Sequence, residues 1–149
     1  MYSHAISLRD LGCTQSPMNA WITLNGIETL PLRMERHCSN SLAVAKFLEK
    51  QANVAWVSHA GLESSPYFEI GKKYLPEGTG SVFTFGVKGG YESGLKMLES
   101  VELFSHVANI GDTRSLILHP ASTTHRPVSY THLRAHETLR YLVCRLLLE

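Results

Sequence analysis

The sequence has little net charge, and this excludes several classes of protein. Lys and Arg together number 14 against 13 Asp and Glu, so the formal net charge is +1. A near-neutral chain has no basic field to attract nucleic acid or an anionic membrane. No apolar run approaches the roughly 20 residues of a membrane-spanning helix, and the N-terminus has no apolar core of a signal peptide. We therefore expect a cytoplasmic protein without a nucleic-acid or membrane partner.

Cysteine is also scarce, which argues against a disulfide-stabilised protein. Cys13, Cys38 and Cys144 are odd in number and widely spaced, as is typical of a reducing compartment. Histidine is more frequent, but His119 and His125 match no zinc-ligand spacing. No nearby cysteine or carboxylate completes a ligand set. We predict no metal site.

The helical signals lie mainly in the first third of the chain. Ser16-Pro17 predicts a helix start, because serine caps free N–H groups and proline suits the first helical position. Proline inside a helix removes a hydrogen bond and clashes with the preceding turn. Pro31 therefore predicts two tandem helices, 17–29 and 31–51, with a bend at Leu30-Pro31. Cys38, Leu42, Ala45 and Leu48 are predicted to share one face of the second helix.

Short runs of β-branched and aromatic residues predict strands in the rest of the chain. The predicted strands are 54–57, 81–87, 106–109 and 115–118, and the predicted helices between them are 66–75 and 92–100. This order predicts an α+β fold in which the helices cover one face of a small, mostly antiparallel sheet.

Three local motifs have weak functional alternatives. The turns at 71–73 and 78–80 resemble phosphate loops, but neither has the glycine spacing of a P-loop, so we interpret their glycines as turn residues. Ser122 and His125 could form a hydrolase pair, but the sequence has no G-x-S-x-G motif. The polar residues of 108–125, at predicted strand ends, are plausible ligand contacts.

Four blocks resemble the Cys/Met-metabolism family of pyridoxal-phosphate (PLP) enzymes. They are residues 16–49, 60–68 (AGLESSPYF), 83–90 (FTFGVKGG) and 103–125 (LFSHVANIGDTRSLILHPASTTH). The last block resembles the O-acetylhomoserine sulfhydrylase branch, because other branches tend to have S-L-G where this chain has Asn109-Ile110-Gly111. The resemblance implies the small C-terminal domain of a fold-type I PLP enzyme, preceded by a long bent inter-domain helix.

The resemblance also implies an activity. It is γ-replacement in methionine and cysteine biosynthesis, in which sulfide replaces the acetate of O-acetylhomoserine and gives homocysteine. The implied cofactor is PLP, and the implied partners are a small amino-acid substrate, sulfide and further copies in a homotetramer. The alternatives are a cystathionine γ-synthase or methionine γ-lyase parent, or a non-enzymatic interaction module.

Three residues match positions near the substrate in the family: Asn109, Ile110 and Thr124. The resemblance implies that they contact substrate; the alternative is that Asn109 and Thr124 only satisfy loop backbone. The family's Schiff-base lysine and its other cofactor-binding residues match positions upstream of residue 1. We therefore predict no catalytic and no cofactor-binding residue in this chain, and no activity from the chain alone.

The resemblance implies that the chain divides into three segments of different origin. Residues 1–51 correspond to the end of the cofactor domain with the inter-domain helices, and 52–126 to the small domain. Residues 127–149 lack Gly and Lys and resemble the translation of a sequencing-library adapter, although their leucines could also line a helix. If this segment is non-native, the sheet is expected to lack one strand.

Overall fold

The computed structural model describes residues 3–12, 14–124 and 142–145, which fall into two units, Met1–Leu32 and Arg33–Glu149. The first unit contains a π-helical segment, Ser3–Asp10, and helix α1, Pro17–Glu28. The Ser16 hydroxyl caps α1 by accepting a hydrogen bond from Asn19 N–H at 3.2 Å, as the Ser-Pro start predicts. Helix α1 buries none of its residues.

Helix α2, Leu30–Glu49, follows α1 after a turn at Thr29, so the predicted pair of helices is confirmed. Its buried residues, at spacings of three or four, are His37, Ser41, Ala45 and Leu48. Ala45 and Leu48 were predicted for this face, whereas Cys38 and Leu42 are only partly buried. No helix in the described part of the chain is both long and apolar enough to cross a membrane.

Within the described residues the sheet has four strands, which are β1 Val54–Ser58, β2 Val82–Val87, β3 Leu116–Leu118 and β4 Leu142–Arg145. Their order is β1-β2-β4-β3, and each neighbouring pair is antiparallel. The predicted antiparallel sheet is confirmed. The predicted strand at 106–109 is wrong: pairing there is limited to one bridge from Ser105 to Leu116. Asn109 and Gly111, the latter at φ +76°, favour a turn instead.

Strand β4 lies in the segment 127–149, which was expected to leave the sheet one strand short. It pairs with β2, where Phe83 faces Cys144, and with β3, where Ile117 faces Cys144. The expectation of an incomplete sheet is therefore wrong, as is a helix at 142–145. Two flanking strands each present unpaired N–H and C=O groups, and an extended segment between them satisfies both sets.

The core lies between one face of the sheet and two helices. Helix α3 spans Phe68–Tyr74 and α4 spans Gly90–Ser100. Phe83 and Phe85 alternate along β2 and so point to the same face. The buried core cluster joins them to residues of β3, α2, α4 and one loop, which are Ile117, Ala45, Leu48, Leu98 and Leu62. Helices α2 and α4 thus pack on one face of the sheet.

A buried polar contact connects α2 to the segment after β1. His59 Nε2 lies 2.8 Å from Ser41 Oγ, and Gly61 N–H donates to His59 Nδ1 at 2.9 Å. Because Nδ1 accepts, the neutral ring carries its proton on Nε2 and donates it to Ser41. Burial lowers the pKa of His59, since the imidazolium form loses solvation.

This contact predicts a loss of stability in mild acid. Below pH 6.5, the ordinary pKa of His59, the unfolded chain binds a proton that the folded chain does not. As the pH falls, His59 lowers the free energy of unfolding by up to about 1.4 kcal/mol per pH unit, until the pH reaches the pKa of His59 in the folded chain. We expect His59→Gln to reduce this slope in urea titrations between pH 7.5 and 5. His106→Gln is the matched control, since His106 is exposed; an equal slope in the two variants would contradict the prediction.

Candidate functional site

The loop of residues 106–114, called the 106–114 loop, is held at its base by the backbone. Ser105 N–H donates to Ser115 O at 2.9 Å, and Ile117 N–H donates to Ser105 O at 3.1 Å. Every residue of the loop is exposed except Asp112, which is partly buried. The 106–114 loop is thus exposed to solvent while its two ends are held in place by backbone hydrogen bonds. Such an arrangement is suited to contacting a ligand.

Asp112 is the centre of the hydrogen bonds within this loop. Its Oδ1 accepts from Arg114 N–H at 2.9 Å and from Arg114 Nε at 3.0 Å. Its Oδ2 accepts from Arg114 Nη2 at 2.9 Å and from Asn109 Nδ2 at 3.2 Å. The bonds from the Arg114 side chain, then from its backbone N–H and from Asn109, hold the pKa of Asp112 well below its usual range.

Asn109 and Ile110, both predicted as substrate contacts, lie together in this loop. Asn109 Oδ1 accepts from Ile110 N–H at 2.9 Å. Ile110 is 80% exposed. The N–H of Ile110 is therefore engaged within the loop, and its apolar side chain is the part accessible to a ligand.

Thr124, the third predicted contact, lies in the segment after β3. This segment begins at the buried His119 and continues through a short 3-10 helix, Pro120–Ser122. The carbonyl of His119 accepts from the hydroxyls of Ser122 at 3.2 Å and Thr123 at 2.8 Å. The ring contributes too, with Nδ1 at 3.0 Å from Ser122 Oγ. These bonds fix the backbone that leads to the exposed Thr124.

His119 itself is a structural residue rather than a surface histidine. It is 2% exposed and makes an edge contact with Tyr91, with ring centroids 4.9 Å apart. A Cβ on Gly94 would lie 3.2 Å from the Nε2 atom of His119. The absence of a side chain at Gly94 therefore lets the His119 ring pack against α4. Burial lowers the pKa of His119. His125, considered with it for metal binding and for a hydrolase pair, lies outside the described residues.

Along the chain, the predicted site residues lie before and after β3. Asn109 and Ile110 are hydrogen-bonded neighbours before the strand, and Thr124 follows it. Asp112 and Arg114 were not predicted to form a pair. The sequence does contain a local indication of this pair, because an Asp whose side chain accepts a hydrogen bond from the N–H two residues later is a common turn motif.

The two glycine segments weighed as phosphate loops, 71–73 and 78–80, have a packing explanation. A Cβ on Gly78 would lie 2.7 Å from Cys38 Sγ, and a Cβ on Gly71 would lie 3.1 Å from the Ala60 carbonyl oxygen. Both glycines therefore allow close approach of neighbouring elements. Gly78 follows the turn at Pro76-Glu77, so its interpretation as a turn residue is confirmed. The same interpretation of Gly71 is wrong, because Gly71 lies inside α3.

The described residues do not fit a covalently held PLP by themselves. A lysine that forms the imine is normally desolvated in a pocket or placed beside another cation. All of this chain's lysines are exposed, and they are Lys46, Lys50, Lys72, Lys73, Lys88 and Lys96. The 106–114 loop and Thr124 are suited to contacting a substrate, and we assign them no part in holding a cofactor.

Sequence comparison places the chain in a known family. The model of the Cys/Met metabolism PLP-dependent enzymes matches residues 2–146, beyond Arg126, where the resemblance was expected to end. O-acetyl-L-homoserine sulfhydrylase of Leptospira meyeri is 50% identical over 123 residues, which are 82% of this chain and 28% of the relative. O-acetyl-L-homoserine sulfhydrylase 1 of Thermus thermophilus is 48% identical over 122 residues, 29% of its length.

Solved structures give the same result. A Campylobacter jejuni protein assigned as an O-acetylhomoserine (thiol)-lyase superimposes with a TM-score of 0.89 at 36% identity. The match covers 99% of this chain and 35% of that protein, which carries a pyridoxyl-lysine phosphate. Cystathionine γ-synthase of Xanthomonas oryzae superimposes with a TM-score of 0.82 at 30% identity, over 93% of this chain and 36% of that enzyme. The chain thus spans less than a third of the length of the sequence relatives named above, and it belongs to the Cys/Met metabolism family of PLP-dependent enzymes.

Proposed function

We propose that this chain is part of an enzyme that replaces the acetate of O-acetylhomoserine by sulfide and so makes homocysteine. The observation that carries the proposal is the 50% identity over 123 residues with an O-acetyl-L-homoserine sulfhydrylase. A relative from Schizosaccharomyces pombe, 47% identical over 119 residues, is named homocysteine synthase. PLP, when bound in such an enzyme, supplies an electron sink for this chemistry.

The proposed contribution of this chain is to bind and orient the amino-acid substrate. Asn109 keeps one N–H of Nδ2 and one lone pair of Oδ1 after its two loop bonds. A polar group of the substrate would bond to this amide, while Ile110 offers an exposed apolar side chain and Thr124 a hydroxyl. Because the chain's lysines are all exposed, we propose that the chain alone is inactive. A cytoplasmic homotetramer stays a prediction.

Cystathionine γ-synthase is the second candidate. It is favoured by the superposition with the Xanthomonas oryzae enzyme at a TM-score of 0.82. The two candidates share the fold and differ in the nucleophile, which is sulfide in one and the thiol of cysteine in the other. Assays with each nucleophile distinguish them.

We expect the whole enzyme that contains this segment to make homocysteine from O-acetylhomoserine and sulfide. Asn109→Ala should lower kcat/KM roughly tenfold or more, because it removes a hydrogen bond to a charged or polar substrate group. Homocysteine formation with purified, PLP-loaded enzyme is the measurement. This chain alone should form none.

Asn53→Ala is the matched control, because the contact described for Asn53 runs through its backbone carbonyl, which accepts from Lys88 N–H at 2.8 Å. Its kcat/KM should stay at the wild-type value. Activity with cysteine but not with sulfide would support cystathionine γ-synthase instead. Unchanged kcat/KM in Asn109→Ala would remove Asn109 from the proposed site.

A further inference from the structure

The carboxylate of Asp112 has no acceptor capacity left for a ligand. A carboxylate offers about four lone-pair positions. Two bonds reach Oδ1, both from Arg114, and two reach Oδ2, one from Arg114 and one from Asn109. Its side chain is only 11% exposed. Asp112 is therefore occupied within the loop, and any effect it has on a substrate must act through a neighbour.

The neighbour whose geometry depends on Asp112 is Asn109. Its Nδ2 donates to Asp112 Oδ2, and its Oδ1 accepts from Ile110 N–H. Rotating the amide by half a turn would place oxygen against the carboxylate and an NH2 group against the Ile110 N–H. Both contacts would then be repulsive, so the two bonds together select one orientation of the amide.

Arg114 removes the electrostatic cost of having an acidic residue beside the substrate contact. Its guanidinium makes a two-pronged contact with Asp112, through Nε at 3.0 Å and Nη2 at 2.9 Å. Such paired bonds fix geometry as well as charge. The pair is locally neutral, so the carboxylate that orients Asn109 does not repel an amino-acid carboxylate nearby.

We propose that Asp112, held by Arg114, is a positioning residue that fixes the Asn109 amide in one orientation and presents its remaining N–H and lone pair to the substrate. The fixed orientation follows from the hydrogen bonds alone. The statement about substrate rests on the proposed function. The two parts are tested separately.

The orientation is tested by NMR on this chain, following exchange of the Asn109 side-chain NH2 hydrogens with water. Each oxygen of Asp112 accepts two bonds, so Asp112→Asn places an NH2 group against two donors whichever way it turns. We expect exchange at Asn109 Nδ2 to accelerate about tenfold, as loss of a charge-assisted bond implies. Glu69→Gln is the control, since it removes an exposed carboxylate paired with Lys72 at 3.7 Å, and it should leave Asn109 unchanged.

A second variant covers the case in which Asp112→Asn does not fold. Arg114→Gln keeps the carboxylate but removes its largest source of stabilisation. The Asn109 side-chain signals of the wild type should stay constant from pH 7 to pH 3. In Arg114→Gln the pKa of Asp112 should rise toward its ordinary value, because the bonds from the Arg114 side chain are lost while those from the backbone N–H of residue 114 and from Asn109 remain, so the Asn109 signals should begin to shift at a higher pH than in the wild type. A loss of packing elsewhere would not produce this titration. The proposal would be overturned if neither substitution changed the exchange rate or the pH dependence of the Asn109 side-chain signals.

The substrate part is tested in the whole enzyme. Asp112→Asn should raise KM for the amino-acid substrate about tenfold with a smaller change in kcat, since a misoriented amide weakens binding first. If the NMR results hold and KM does not move, the orientation stands and the role of Asn109 toward substrate is wrong. If KM moves while the Asn109 signals do not, Asp112 is not the residue that orients Asn109.

Discussion

Truncation after Tyr141 is expected to abolish cooperative folding of the sheet, because it removes β4 from between β2 and β3. The register pairs Val82–Phe85 of β2 with β4 on one side and Leu116–Leu118 of β3 on the other. Without β4, the N–H and C=O groups on both facing edges exchange their protein partners for water, at a net cost of about 0.5 to 1.5 kcal/mol for each hydrogen bond lost. The sum rivals the about 5 to 15 kcal/mol that stabilises a whole domain. Amide exchange at Phe85 of β2 and at Leu118 of β3 is the measurement, because both residues pair with β4, and protection should disappear.

Truncation after Arg145 is the matched control, since it shortens the same end of the chain and keeps β4. We expect its urea midpoint to stay near that of the whole chain. Equal midpoints for the two truncations would show that β4 contributes nothing to the sheet in solution. The prediction concerns backbone pairing, and it holds whether or not 127–149 is native to the gene. That domain assignment stays a prediction.

The elements with strong local signals could be predicted from the sequence. Ser16-Pro17 specifies the start of α1 through a cap and a fixed φ, and the run 82–87 specifies β2 through β-branched and aromatic residues. Strand β4 could not be predicted this way. Its four residues form a strand because they pair with β2 on one side and with β3 on the other, which is a tertiary cause with no local signal.

Buried polar residues were the other feature that sequence reasoning missed. A search for apolar periodicity favoured Cys38 and Leu42 on the inner face of α2, whereas the structure buries His37 and Ser41 there. Ser41 is buried because His59, 18 positions away, supplies a hydrogen-bond partner at 2.8 Å. Such a contact follows only from the fold.

The candidate site shows the same division. Asn109 and Ile110 were identified because their segment resembles a family, and the structure places them in one hydrogen-bonded loop. The role of Asp112 depends on four bonds meeting at two oxygen atoms, which spacing alone does not predict. Residues 106–109 were predicted as a strand before β3, because a residue pattern does not reveal that this segment lacks a partner strand.

Gly86→Ala is expected to destabilise the chain by about 2 to 3 kcal/mol, as overpacking of a well-filled site does. Gly86 in β2 pairs with Trp56 in β1, and a Cβ at Gly86 would lie 2.3 Å from Trp56 Nε1 and 2.6 Å from Cε2. The φ angle of Gly86 is not positive, so backbone strain is not the reason. Alanine in a strand is otherwise slightly favourable relative to glycine. Urea unfolding of the purified chain measures the loss.

A double-mutant cycle with Trp56→Leu assigns this cost to the indole. If the ring is what a methyl group at 86 would meet, Gly86→Ala should cost little once the ring is gone, and the coupling between the two substitutions should be about 2 kcal/mol. Gly26→Ala is the control: nothing lies within 4 Å of a Cβ there, and alanine is the better helix former in α1. Additive effects of Gly86→Ala and Trp56→Leu would mean that the cost arises elsewhere, and the packing of Trp56 across β2 would then not explain why residue 86 is glycine.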